Sequence, residues 1–373
     1  MTRTRLAAIA AATFAGALAL TACGGSSDSG SSSDSNSGGS SAAGDITCVD
    51  GSIKAAGSSA QANAITQWIT AYQTACEGAT IDYQPVGSGA GVEQFIAAQT
   101  SFAGTDSAMK DEDLAAANER CGGGPAINLP MVGGAIAVTY NLEGVDNLVL
   151  NPDTLAGIFA STITKWNDPA IAALNPDATL PDATIAQFHR SDSSGTTDNF
   201  TKYLAATAPG AWTFEPGKEW VAPGGQGAKG SDQVMASVDT TPNSIGYLEL
   251  SYVLYAQTAL AASIDNGSGP VEASIENAAN TISGAEIVGE GDNLALKIDY
   301  TVSTPGAYPI VLVTYEGVCQ TGLAADQNPA LVKAFLQYAA SDAAQGELIE
   351  AGYVPITGDL LTKVRAAVDA MSS

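Results

Sequence analysis

Apolar positions divide the chain into three unlike stretches. From Leu6 to Leu20 they form one run preceded by Arg3 and Arg5. That run is short for a bilayer span and predicts a signal peptide over residues 1–22. From Gly24 to Gly44 bulky apolar residues vanish in favour of Ser, Gly, Asp, Asn and Ala. Such a segment cannot offset the entropy of being ordered, so residues 23–44 predict a flexible tether, with a root-mean-square span of about 25 Å. Beyond Asp45 the pattern alternates between period-two and helical spacing, and no later segment has the apolar length of a membrane helix.

The alternation predicts an α/β fold with a largely parallel sheet. Three strand-to-helix junctions share one grammar. Ser52 to Gly57 leads into Ser58-Ser59, after which Ile65, Trp68, Ile69 and Tyr72 line one face, so a helix is expected to begin near Ser59 and Ala60. Ile81 to Val86 reads as a strand, Gly87 to Gly91 as a tight turn, and Val92, Phe95 and Ile96 as the stripe of a helix. Ile185 to Arg190 reads as a strand, Ser191 to Thr196 as a loop, and Phe200, Tyr203 and Leu204 as a buried helix face. Helix N-termini expose unpaired N–H groups and a partial positive charge, glycine permits close approach, and Ser and Thr add hydroxyl donors. Together the three openings predict an oxyanion site, with Arg190 as its charged donor. Neither Gly87–Gly91 nor Gly224–Gly230 has the spacing of a nucleotide-binding loop.

Charge sharpens this reading. The formal net charge is −25, and loss of a signal peptide carrying Arg3 and Arg5 but no acid takes it to −27. Such a surface repels nucleic acid and anionic lipid, so an anion must be held by short-range dipoles and hydrogen bonds. Cys48, Cys76, Cys121 and Cys319 are an even set in an exported chain and predict two disulfides, in any of three pairings. The single histidine, His189, is remote from all four in sequence and reads as a packed or exposed neighbour of Arg190, so neither a metal nor a cofactor is expected.

The chain resembles the phosphate-binding component of the high-affinity phosphate ABC transporter. The likeness lies in Ala56-Gly57-Ser58-Ser59-Ala60, in Tyr83 to Gly91, in Phe102-Ala103-Gly104-Thr105-Asp106, in Ile163 to Asp168, in Arg190 to Thr196 and in Asn243 to Glu249. It resumes more faintly from Tyr308 onward. Leu20-Thr21-Ala22-Cys23 resembles the lipobox of bacterial lipoproteins, which implies a lipid on Cys23 and an anchor on the outer face of the cell membrane. The resemblance implies a two-lobed periplasmic-binding-protein-like fold with ligand in the cleft and two crossovers, for which Met131–Tyr140 and Tyr308–Tyr315 are candidates. It assigns 45–130 plus 311–373 to the first lobe and 131–310 to the second, leaving 261–299 with no role beyond that lobe.

It also implies a ligand set of Ser59, Ala60, Ser88, Asp106, Arg190, Ser194, Gly195 and Thr196, with Asp192 orienting the arginine. The first loop departs from the family in having Ser58-Ser59-Ala60 where a threonine and a bulky residue are usual. An ionised Asp106 can only accept a hydrogen bond, so it would select protonated phosphate over sulfate. Read without the resemblance, Asp106 is a helix N-cap before Ser107–Ala117. The implied function is non-catalytic capture of inorganic phosphate by a monomer for membrane permease subunits. The alternatives are a receptor for sulfate or molybdate, and a secreted phosphatase, against which the lack of a base or metal cluster beside any nucleophile counts.

Overall fold

The structure is a computed structural model that describes residues 46–373; the expected signal peptide, the expected lipid site Cys23 and the expected tether lie outside the described residues. Eight strands carry the architecture: β1 (Gly51–Gly57), β2 (Ala79–Gln84), β3 (Phe102–Thr105), β4 (Ala126–Asn141), β5 (Ala186–Arg190), β6 (Gln226–Ala228), β7 (Ser244–Glu249) and β8 (Val311–Cys319). They lie in one sheet in the order β2-β1-β3-β8-β4-β7-β5-β6, with two short strands added against β4. Each flank is parallel, β2/β1/β3 on one side and β7/β5/β6 on the other. The centre is antiparallel, since β8 runs against β3 and β4, and β4 against β7. The sheet is therefore mixed rather than largely parallel, because the two crossing strands run in opposite directions.

Those strands are long and apolar. β4 pairs with β8 over Ala126–Ala135 and with β7 over Ile136–Asn141, so its change of partner falls at Ala135/Ile136. Fifteen of its sixteen residues and all nine of β8 are buried. Pro130 has no N–H for the ladder, and the register shifts there, with Thr314 opposite Val132 and Tyr315 opposite Pro130.

Helices cover the sheet through the faces that periodicity marked. In α1 (Ala62–Ala75) the buried positions are Ala64, Ile65, Trp68 and Tyr72. This helix opens at Ala62 rather than near Ser59, because Ser58 Oγ first accepts the N–H groups of Ala60 and Gln61 at 3.0 and 3.4 Å and closes a separate turn. In α2 (Ser88–Ile96) Val92 and Phe95 are buried, and a Cβ on Gly91 would lie 2.4 Å from Gly57 Cα, so the helix packs directly on β1. Strand β3 is followed by α3 (Asp111–Arg120), five residues beyond Asp106. On the far flank α4 (Pro152–Phe159), α5 (Gly195–Thr207) and α6 (Gly230–Thr240) cover β5 to β7.

The segment 261–299 does more than extend the second flank. Its helix α7 (Ile275–Ile282) packs on β4 and β8, Thr281 Oγ1 donates to Tyr308 O at 2.7 Å, and Leu294 N donates to Asn128 O at 3.0 Å. Asn328, in the left-handed conformation, caps α8 (Pro329–Ala339) by accepting from Leu331 N at 3.2 Å. The last helix, α9 (Gly358–Asp369), buries Leu361, Val364 and Val368, with Leu360 half-buried.

The cysteines pair Cys48–Cys76 and Cys121–Cys319. The second bridge closes a separation of 198 residues and ties the end of α3 to the end of β8. Replacing Cys121 and Cys319 by Ala is expected to lower unfolding free energy by about 2–5 kcal/mol. A denaturant midpoint unmoved from that of the parent would show that the bridge contributes nothing.

Candidate functional site

β1 and β3 belong to one parallel flank and β5 to the other, and the carboxyl ends of all three open toward one place, the usual location of a ligand in α/β sheets. β3 ends at Thr105 and delivers Asp106, which is 2% exposed. Its Oδ1 accepts from Ser58 Oγ and from Thr314 Oγ1, the latter at 2.9 Å, and its Oδ2 accepts from Ser88 Oγ and Thr196 Oγ1, each at 3.3 Å. Asp106 is not a helix N-cap, since α3 begins only at Asp111. Burial pushes its carboxyl above the ordinary aspartate value, while the hydroxyls of Ser58, Thr314 and Thr196 and the charge of Arg190 pull the other way.

Arg190, at the end of β5, is 1% exposed. Its Nε and Nη2 hold Asp192 at 2.7 and 2.5 Å, and Nη1 reaches Thr196 Oγ1 and Ser231 Oγ, each at 3.4 Å. Asp192 Oδ1 also accepts from Gly230 N at 3.1 Å. Burial works to raise the Asp192 carboxyl, but the hydrogen bonds and charge of Arg190, with the Gly230 N–H, outweigh it and hold that carboxyl below its ordinary value. The pair is bidentate, so Asp192 fixes the plane of the guanidinium and leaves Nη1 directed at the site.

The loops from the two flanks are in contact. A Cβ on Gly195 would lie 2.7 Å from both Asp106 Cβ and Ser88 Oγ, and one on Gly89 would lie 2.0 Å from Ser193 Oγ. Ser88, Asp106, Arg190, Gly195 and Thr196 therefore converge. Ser88 opens α2, while Gly195 and Thr196 open α5, so the N–H groups of all three belong to first turns that lack intrahelical acceptors.

Three further sequence candidates already hold partners within the protein. Ser59 Oγ accepts from Ser231 N at 3.0 Å and meets Ser231 Oγ at 3.1 Å, and the Ala60 N–H is bound by Ser58 Oγ. Ser194 caps α5 by accepting from Thr197 N at 3.1 Å, and its own N–H donates to Lys218 O at 2.9 Å. The Gly224–Gly230 loop brings a further helix opening, that of α6, to the same place through Ser231. His189 is packed: its ring stacks on Trp220 with centroids 4.8 Å apart, and Nδ1 lies 2.9 Å from Arg190 O.

Sequence reasoning missed Thr314, Ser231 and the separate role of Ser58. Thr314 was visible as the hydroxyl that ends the apolar Ile310 to Val313 run, and Ser231 as a serine directly after a glycine-rich turn. Two buried glutamates flank the site. Glu316 is 1% exposed and neither of its oxygens meets a donor in hydrogen-bonding geometry, although Gln61 lies beside it. Glu249 accepts from Ser251 N at 2.9 Å through Oε2, while Oε1 faces Gly134 without a partner. Burial pushes both carboxyls well above the ordinary glutamate value.

Two parallel flanks joined by two crossing strands, with glycine- and serine-rich loops meeting between them, define a periplasmic-binding-protein fold. Residues 36–343 match the family model described as a PBP superfamily domain. The phosphate-binding protein PstS 3 of Mycobacterium tuberculosis (strain ATCC 25618 / H37Rv) is 43% identical over 362 residues, 96% of each chain. PstS 2 of the same strain is 41% identical over 366 residues, again 96% of each. The chain belongs to this family of PstS phosphate-binding proteins. Among solved structures, a phosphate-bound periplasmic phosphate-binding protein (PfluDING) aligns with a TM-score of 0.67 at 21% identity over 85% of this chain and 93% of its own. The phosphate-binding protein of Stenotrophomonas maltophilia aligns at 0.66 and 20% identity with the same coverage. Both likenesses are of fold.

The buried glutamates yield a stability prediction. With their carboxyls raised, the folded chain retains protons that the unfolded chain releases near the ordinary glutamate value of 4.5. Folded protein then binds more protons than unfolded, so stability falls as pH rises through that window. Glu316→Gln should gain stability relative to the parent as pH is raised from about 4.5 toward about 8. Urea midpoints at several pH values test this, and a constant offset between the two proteins would contradict it.

Proposed function

We propose that the chain binds inorganic phosphate outside the cytoplasmic membrane and delivers it to the permease subunits of an ABC transporter, without turning it over. The observation that carries this reading is Asp106, a buried acceptor at 2% exposure that faces the same space as the donors Ser88, Thr196 and Arg190. An anion held by these donors must offer a proton to the carboxylate. Monohydrogen and dihydrogen phosphate do so; sulfate and molybdate arrive without one. The names of the relatives point the same way.

Ser88, Arg190, Gly195 and Thr196 are the central donors in this reading, and Asp192 orients the arginine. Ser59, Ala60 and Ser194 complete the set when their present contacts give way to the ligand. Residues 45–130 with 311–373 form one lobe and 131–310 the other, with bending centred on the partner change at Ala135/Ile136 and on Ile310/Val311. A lipid on Cys23 and the tether keep the monomeric body beside the membrane partner. A phosphatase would need a base beside its nucleophile, and the one histidine is instead stacked on Trp220.

Calorimetric titration of the ligand-stripped chain is expected to show phosphate binding with sulfate weaker by at least about 100-fold. Asp106→Asn should narrow that ratio, because an amide can donate to sulfate. A folded, stripped chain that gives no heat with phosphate would overturn the reading.

A further inference from the structure

Asp106, Glu249 and Glu316 are all buried, at 2%, 0% and 1% exposure. Their surroundings differ sharply. Glu316 meets no donor and Glu249 only one backbone N–H, whereas four hydroxyls are directed at Asp106. Two of those, from Ser88 and Thr196, come from the anion-facing loops and meet Oδ2. The other two, from Ser58 and Thr314, meet Oδ1 and stand outside the ligand set.

Ser58 has a fixed polarity. Its Oγ accepts from the N–H groups of Ala60 and Gln61, so its remaining capacity is to donate, and the one acceptor it reaches is Asp106 Oδ1. An oxygen that must accept there cannot carry the carboxyl proton. Thr314 adds a second donor to the same oxygen, and the fold aims it deliberately. Tyr315 pairs with Thr105, so Thr314 stands across from Asp106 just beyond the end of the β3/β8 ladder, and on its other side it pairs with Val132 of β4 beside the register shift. On the other oxygen, Thr196 Oγ1 accepts from Arg190 Nη1 and is likewise left to donate.

We propose that Ser58 and Thr314 are specificity-determining residues that act through Asp106: by occupying Oδ1 with donors they fix it as an acceptor-only carboxylate, leaving Oδ2 to read the proton on the bound anion. The inference rests on the phosphate reading above. Without these donors Asp106 would resemble its glutamate neighbours, take up a proton, and then donate to a fully ionised sulfate. The hydroxyls thus control discrimination between anions, and not only affinity.

The test is calorimetry on the full-length chain with inorganic phosphate and with sulfate, for the parent, Ser58→Ala, Thr314→Val and Thr314→Ser, each checked for folding by circular dichroism. Ser58→Ala and Thr314→Val should each weaken phosphate by about tenfold or more and admit sulfate, narrowing the affinity ratio, with sulfate binding stronger at lower pH. Thr314→Ser keeps the hydroxyl and should keep the parental ratio. Should Thr314→Val fail to fold, Ser58→Ala carries the same test. Variants that lose affinity for both anions in equal proportion, or that bind as the parent does, would overturn the inference while leaving phosphate binding intact. A parent that binds no phosphate would instead remove the reading on which it rests.

Discussion

The antiparallel ladder between β4 and β8 is the constraint from which the rest follows. Both strands are buried along nearly their whole length, so each needs cover on both faces and a polar side chain left without a partner in either is costly. α7 and α9 supply part of that cover on β4. The polar residues that do occur in β8, Thr314 and Glu316, lie two positions apart and so point to the same face, toward the ends of β1 and β3. The same pair of strands joins the two parallel flanks, and Gly195 of one lies against Asp106 and Ser88 of the other.

A protein with a formal charge of −25 has little reason to attract an anion, and the site does not depend on net charge. It assembles donors at short range: first-turn N–H groups, hydroxyls, and one guanidinium whose plane is set by Asp192. Because a buried arginine is costly unless paired, the bidentate contact stabilises it in place before any ligand arrives. The arrangement also explains the glycines. Gly87, with a φ of 104°, could not carry a side chain without striking Asp192 Oδ2, so the second loop lies close against the arginine's partner.

Local features of the site were legible because they repeat at short range. The Gly87–Gly91 turn that opens α2 and the Ser191–Thr196 loop that opens α5 each follow from neighbouring residues. The apolar stripe of α1 was equally plain, but its first turn was misplaced, since Ser58 draws the Ala60 and Gln61 amides into a turn of its own. What could not be read were contacts that only the assembled sheet creates. Thr314 and Asp106 are 208 residues apart, and Ser59 and Ser231 are 172 apart. No periodicity encodes such pairs. The antiparallel centre was hidden for a related reason: a fully buried strand shows an unbroken apolar run whichever way its neighbour points. Even the cysteine pairing, one of three possibilities on paper, was settled only by which ends the fold brings together.

The Cys48–Cys76 bridge has a mechanical meaning. It joins the residue three positions before β1 to the residue just after α1, enclosing both elements in a covalent loop. Tension arriving from the N-terminal side of Cys48 crosses the sulfur bridge to Cys76 and continues toward β2, bypassing everything between. Gly57, Ser58, Ser59 and Ala60 lie inside that bypassed loop. A body tugged at its N-terminal end would therefore bear the load outside the loop through which Ser58 holds Asp106, and a hydrogen-bonded strand that could otherwise be peeled away one pair at a time is shielded by a covalent short circuit.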